Sequence, residues 1–453
     1  MKRWICATTI FLSCVTPAMT AELRVGAAAV NLEADDSMVI SGGIGPRYAK
    51  GQEGQLRALA VVVERTPKEK IAVVACDVLF VSRDLAEPAL EQIERKTGIP
   101  PANVLIHATH THHAPSTTTV HGYRREELFC RRLQDGIVAA VEKANANLSQ
   151  GPSQFLFAMG EEKTVGQNSR MLMSDRTIFW IGDQRDAVRP TGPFDPQLPV
   201  LAFRAPSGRL QALLYNHSTH TIGSRNGEVR SPSFYGLAAQ ELEQELGGVV
   251  GFLEGASGST HNLTLPAAEA SERMKKAVKL ALAQARPRSV DRILALKKPF
   301  TFKVRNFDEA VEDEKVVSYC RKRAPETADK YIDVFRGMRR ELKPQQGQQR
   351  QTWLQVLLLG DVAIVGVPAE YFTVLGLDIK KRSPVPNTIV VELANDWIGY
   401  LPDRPAMVLG GYQTWMGQHS YAEAGTGERV AEEVVAMLTK LARLSDASPP
   451  GRG

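Results

Sequence analysis

The sequence predicts an α/β fold, a mixed β-sheet core flanked by helices in a single domain. Three observations predict it. Short aliphatic and β-branched runs are bounded by turn or charged residues. Amphipathic stretches with helical spacing separate them, and polar residues gather where the apolar runs end. In chain order, residues 56–63 and 71–74 are expected as buried strands, the second ending at Cys76-Asp77. Residues 84–97 form an amphipathic helix stopped by Gly98 and Pro100. A strand entering at Val104 leads into a cluster of histidines. A helix over 126–148 follows, with Leu133, Ile137 and Val141 on one face.

The middle third repeats this grammar. Residues 210–215 are a strand ending in Asn216-His217-Ser218-Thr219-His220, and a helix is expected over 235–246. Residues 249–253 are a strand ending in the loop 255–262, followed by a helix over 267–285. Residues 308–343 are charged and helical, and 345–351 are a polar loop. Residues 354–359 and 362–367 are strands joined by a Gly360-Asp361 hairpin turn. A strand over 388–393 and a helix over 428–444 close the fold. No internal repeat and no long linker interrupts the chain.

Lys2-Arg3, the apolar run 4–15 and the small residues near Ala21 have the layout of a secretory signal peptide over 1–21. Phe11-Leu12-Ser13 ahead of Cys14 is a poor match to a lipid-attachment site. The single expected domain then spans 22–444, and 445–453 form a disordered tail. The expected chain is exported, to the periplasm or outside the cell, with at most a peripheral membrane contact. The net charge of +5 is scattered in short clusters such as Arg131-Arg132 and Arg339-Arg340, which excludes a nucleic-acid stripe. Beyond the signal only Cys76, Cys130 and Cys320 remain, too few for a disulfide scaffold and without C-x-x-C spacing.

The organising stretch is residues 104–115, VLIHATHTHHAP, which holds four of the nine histidines. If the strand continues through it, His110 and His112 share one face, and His107 and His113 the other. Two imidazoles facing one cavity fit a borderline metal such as zinc. Other polar residues at strand ends are His217, His220, the 255–262 loop, Glu370 and the 395–400 segment. Two histidines and a carboxylate are the ligand set of many hydrolytic zinc sites. H-E-x-x-H, a complete H-x-H-x-D-H and a complete G-x-S-x-G are absent.

Asn103-Val104-Leu105-Ile106, Ala108-Thr109-His110-Thr111-His112 and Pro115 resemble the N-V-L-x-x-A-T-H-T-H-S-G-P segment of neutral ceramidases. These are exported zinc amidases that split ceramide into fatty acid and sphingosine. Later islands keep the family's order: His217 to Thr219, Ser231-Pro232, Gly236, the loop ending at Asn262, Val367-Pro368-Ala369-Glu370-Tyr371, Asn395 to Tyr400, and Tyr421 to Thr426. Together they cover roughly residues 23–430.

The resemblance implies one zinc per chain, held by His110, His217, Glu370 and Tyr400. It assigns the second active-site histidine to His112, a substrate-side arginine to Arg170, an oxyanion-holding tyrosine to Tyr421 and the family's active-site serine to Thr260. Zinc-bound hydroxide would attack the amide of a lipid-like N-acyl substrate, and His112 would carry a proton to the leaving nitrogen. His220, His261 and His113 have no counterpart in the resemblance and are read as supporting or structural. Ser231-Pro232-Ser233-Phe234 lacks the family's acidic residue, and the chain has no room for the C-terminal β-sandwich of the long forms. Two alternatives stand beside the amidase: a zinc hydrolase of an ester, lactone or phosphoester, and a binding protein that keeps the fold without catalysis.

Overall fold

A computed structural model describes residues 22–446. The expected signal peptide lies outside the described residues, as do positions 447–453 of the expected tail; residues 445–446 belong to the closing helix, Thr426–Asp446.

The aliphatic runs assemble into three main sheets of one plan. The first has the order Arg24–Asn31, Arg57–Thr66, Glu69–Cys76, Val104–Ala108. The second contains Val249–Glu254, Leu210–His217, Gln197–Arg204, Gln154–Glu161 and the short Arg286–Pro287. The third is Ile293–Lys303, Gln349–Leu359, Val362–Gly366, Asn387–Val391. Each sheet is mostly antiparallel and carries one parallel pair at an edge. A parallel pair needs a crossover, and a helix supplies it each time: Arg83–Thr97, Ser233–Leu246 and Thr373–Arg382.

A second helix lies beside each crossover on the outer face: Glu127–Ala146, Ala267–Gln284 and Thr426–Asp446. The strand Arg57–Thr66 shows why its run is continuously apolar. Ala58, Ala60 and Val62 pack outward beneath the helices, while Leu59, Val61 and Val63 face inward. The inner faces of all three sheets meet in one core, where Leu59 and Leu105 join Phe157, Leu214, Leu357 and Ile364.

The carboxyl ends of the three parallel pairs are stitched together by backbone hydrogen bonds. Asn395 N donates to Ile106 O (2.7 Å), Ala108 N to Leu393 O (3.3 Å) and Glu392 N to Glu254 O (3.0 Å). Segments leaving those strand ends are therefore brought to one place, although they are far apart in sequence.

The α/β class stands as expected, with three local departures. The strand from Val104 stops at Ala108, and His110 turns the chain with a left-handed φ of 62°, so strand alternation does not set the histidines. The charged region 308–343 is two helices, Glu309–Arg323 and Ala328–Leu342, divided at Pro325, which cannot continue a helix hydrogen bond. The polar run 345–351 is a loop only at its start, because Gln349 and Gln351 pair with Lys303 and Thr301. The strands Arg24–Asn31, Gln154–Glu161, Gln197–Arg204 and Ile293–Lys303 are additions to the expected elements. Among the described residues, no helix is long and apolar enough to cross a membrane, and Cys76, Cys130 and Cys320 are buried free thiols.

Candidate metal centre

Above the first strand end, the chain turns at His110 and sends two imidazoles to one point. His110 Nδ1 lies 3.1 Å from the Leu79 carbonyl, and His112 Nδ1 lies 3.0 Å from the Gly42 carbonyl. A carbonyl only accepts, so each Nδ1 carries the proton and each Nε2 is a lone pair. Those two Nε2 atoms face each other at 3.3 Å. Gly42 makes this approach possible: at φ 92° it has no Cβ, and one would lie 2.5 Å from the His112 ring.

A third imidazole comes from beyond the strand Leu210–His217. His220 Nδ1 donates to the Ser257 carbonyl (2.9 Å), which turns its Nε2 toward Tyr400 and Glu370. The ligand-capable atoms of His110, His112 and His220 all lie within 4.8 Å of one another. Glu370, past the end of Val362–Gly366, brings its Oε2 to 3.5 Å from His110 Nε2 and 3.4 Å from His220 Nε2. Its other oxygen accepts from Trp397 Nε1 (3.0 Å). Tyr400 pairs in register with Glu370, and its hydroxyl is 3.0 Å from His220 Nε2.

His110, His220, Glu370 and Tyr400 are all buried. Burial and the nearby His220 push the His110 imidazole down to about 3, and burial with the facing imidazoles holds His112 well below its usual range. Burial alone would raise the Glu370 carboxyl, but the His220 contact and the surrounding imidazoles outweigh it and hold it at about 2. The centre thus brings the Nε2 atoms of three imidazoles and one carboxylate to a single point, with the Tyr400 hydroxyl beside them. The His110 and His112 Nε2 atoms have no proton to share, so these two acceptors repel unless a cation stands between them. Backbone carbonyls fixing each Nδ1–H are the outer support that metal-bound histidines have. This donor set fits a zinc-class ion.

A cavity of about 780 Å³ opens over the centre, with His112, His220 and Tyr400 in its wall. One side is aromatic, formed by Phe179, Trp180, Tyr331 and Tyr412. Another is polar, where Arg47 meets Glu228.

The structure brings His110, His112, Glu370 and Tyr400 together. The ligand expectation for His217 is corrected. His217 is still inside the strand ladder, paired with Glu254, and its ring turns away from the centre. Its Nδ1 accepts from the Tyr235 hydroxyl (2.5 Å) and its Nε2 donates to the Glu162 carbonyl (3.1 Å), so neither nitrogen is free. His220, three residues further and past the ladder, stands where His217 was expected.

Tyr421 is corrected likewise. It lies outside the cavity lining, beside Phe302 with the Arg350 guanidinium over its ring at 5.0 Å. Tyr412 occupies the wall instead. Arg170 also stays out of the cavity lining: it is buried and holds the 406–413 segment through Gln413 Oε1 (2.7 Å) and the Gly410 carbonyl (2.6 Å). Thr260 does line the cavity, but its hydroxyl donates to the Ser218 carbonyl (2.7 Å). His261 and His113 also border the cavity.

The sequence marked both His217 and His220 at a strand end, and the ladder with Glu254 separates them. Ligands at strand ends come from residues past the last ladder pair, as His110 and Glu370 do, and His217 is the last ladder residue itself. For Tyr412 the only local mark is Gly410-Gly411 before it, both at positive φ.

No protein-family model and no curated protein matches this chain. Among the solved structures that share its fold are two ceramidases. The crystal structure of neutral ceramidase from Pseudomonas aeruginosa aligns with a TM-score of 0.73 at 17% identity, over 95% of this chain and 76% of that one. A ceramidase complexed with C2 aligns with a TM-score of 0.73 at 16% identity, over 96% of this chain and 77% of that one. The fold is that of neutral ceramidases, as the resemblance implied.

Proposed function

We infer that the chain is an exported zinc-dependent hydrolase of neutral ceramidase type, acting on the amide of ceramide or a related N-acyl lipid. The observation that carries this reading is the convergence of three imidazole Nε2 atoms and the Glu370 carboxylate beneath an aromatic-walled cavity. His110, His220, Glu370 and Tyr400 would hold one zinc. Such an ion lowers the pKa of a bound water to about 7 and polarises a carbonyl.

The chain's own residues divide the remaining work. His112 borders the cavity with an unprotonated Nε2, in reach of a proton leaving water and of the departing amine. Tyr412, in the same wall, suits the oxyanion role assigned to Tyr421 from sequence. Trp180, stacked on Tyr412 at 4.6 Å, offers an apolar surface to an acyl chain. The commitment of the Thr260 hydroxyl to Ser218 O argues against a covalent acyl-enzyme. A peripheral membrane contact is supported by Val408, 88% exposed, and Leu409, which lie just ahead of the Tyr412 segment.

The test is a substrate panel on purified, zinc-loaded protein: N-acyl amides, carboxylic esters, lactones and phosphoesters of matched chain length. Amide cleavage that stops on chelation is the expected result. Cleavage of esters, lactones or phosphoesters alone would replace the amidase reading, and turnover of none would replace it with a binding protein.

A further inference from the structure

Tyr412 has one hydroxyl proton, and its direction decides whether this residue can help a developing anion. Its ring is held on both faces, by Trp180 at 4.6 Å and 2° and by His419 at 4.8 Å and 21°, so only the O–H is free to rotate. The hydroxyl lies 3.0 Å from His121 Nε2, its one hydrogen-bond partner among the described residues. Either Tyr412 donates to His121 or His121 donates to Tyr412. In the first case the phenol proton is spent on His121; in the second it is left for water or substrate in the cavity that Tyr412 lines.

The other imidazole nitrogen distinguishes these cases. His121 Nδ1 is buried with no hydrogen-bond partner. A proton there would be an orphaned buried N–H, which folded proteins avoid more strictly than an unpaired acceptor. Burial also keeps the ring neutral, so it carries one proton. That proton belongs on Nε2. The backbone around His121 is fixed: the residue sits at a left-handed φ of 51°, uncommon outside glycine, and its carbonyl accepts from Gly45 N at 2.8 Å.

We propose that His121 is a positioning residue, whose Nε2–H donates to the Tyr412 oxygen and thereby turns the Tyr412 proton into the cavity. This rests on the hydrolase reading for its consequence, because a substrate carbonyl becoming anionic then meets a donor fixed in advance. The tautomer itself does not depend on that reading. His121 touches no reacting atom; it acts through Tyr412.

Two measurements test it. In zinc-loaded full-length protein carrying ¹⁵N-histidine, with His121 assigned by difference from His121→Gln, NMR is expected to show a protonated Nε2 and an unprotonated, pyridine-type Nδ1. Protonation at Nδ1 overturns the proposal whatever the enzyme turns over. In kinetics on the amide substrate, Tyr412→Phe is expected to lower kcat about 100-fold, with KM little changed. His121→Phe should give a drop of the same order, and the double variant should be no worse than either single one. His121→Gln, whose side-chain amide can still donate, should recover most of kcat. Multiplying losses, or a glutamine variant as poor as phenylalanine, would reduce His121 to packing. If the wild type cleaves no substrate, the hydrolase reading fails, and the NMR result alone decides the tautomer.

Discussion

The Nε2 atoms of His110 and His112 face each other at 3.3 Å, and neither has a proton for the other. Each ring spends its only N–H on a backbone carbonyl, Leu79 or Gly42. Two facing acceptors at that distance mark the place where the chain expects a positive charge.

The first prediction concerns Gly42. A Cβ at this position would strike the His112 ring, and φ 92° disfavours any side chain. Gly42→Ala is expected to displace His112 and cut amide turnover about 100-fold, the scale of a misplacement near 1 Å. Zinc content should stay as in the wild type, since His110, His220, Glu370 and Tyr400 are untouched. Gly98→Ala, at φ 72° with open space around it, should cost about 1 kcal/mol of stability and leave turnover alone. Steady-state kinetics beside metal analysis checks both.

The second concerns Trp397. Its indole N–H is the partner of the Glu370 oxygen turned away from the imidazoles, while its ring stacks on Phe80 at 4.0 Å. Trp397→Phe keeps the stack and removes the donor. Zinc affinity measured by chelator competition should fall about 10- to 100-fold. An unchanged affinity would show that this outer hydrogen bond does not tune the centre.

The third concerns pH. Burial pushes His107 and His419, neither of them a proposed ligand, from 6.5 down to about 4. Between those values the unfolded chain takes up protons that the folded chain refuses. Stability is therefore full above pH 6.5 and is lost as pH falls toward 4, by at most about 1.4 kcal/mol per pH unit for each group. Thermal unfolding should move to lower temperature between pH 7.5 and pH 5, and His107→Asn should make that slope shallower. An unfolding temperature indifferent to pH over this range would contradict the neutral burial of these rings.

Much of the fold was legible because the aliphatic runs and the helical periodicity are local. The helix Arg83–Thr97 is stopped by Gly98 as its sequence says, and the Gly360-Asp361 turn joins its two strands. The threefold repetition of an antiparallel sheet with a parallel edge was not legible, since it depends on pairings such as Ile293–Lys303 with Gln349–Leu359 across an intervening pair of helices. At the site, the histidine-rich stretch and Glu370 carried their own signal. His217 and His220 differ by three positions, and only the end of the ladder with Glu254 tells which ring escapes the sheet. Tyr412 and Tyr421 present a similar choice, decided by which ring packs on Trp180 at the cavity wall and which packs on Phe302 outside it.

The central claim is that His220, with His110 and Glu370, completes a zinc centre from which His217 is absent. Zinc per chain, measured by elemental analysis after dialysis against limiting metal, tests this most directly. The wild type and His217→Ala are each expected to retain about one zinc, and His220→Ala and His110→Ala to lose it. Retention by a folded His220→Ala together with loss from a folded His217→Ala would contradict the account.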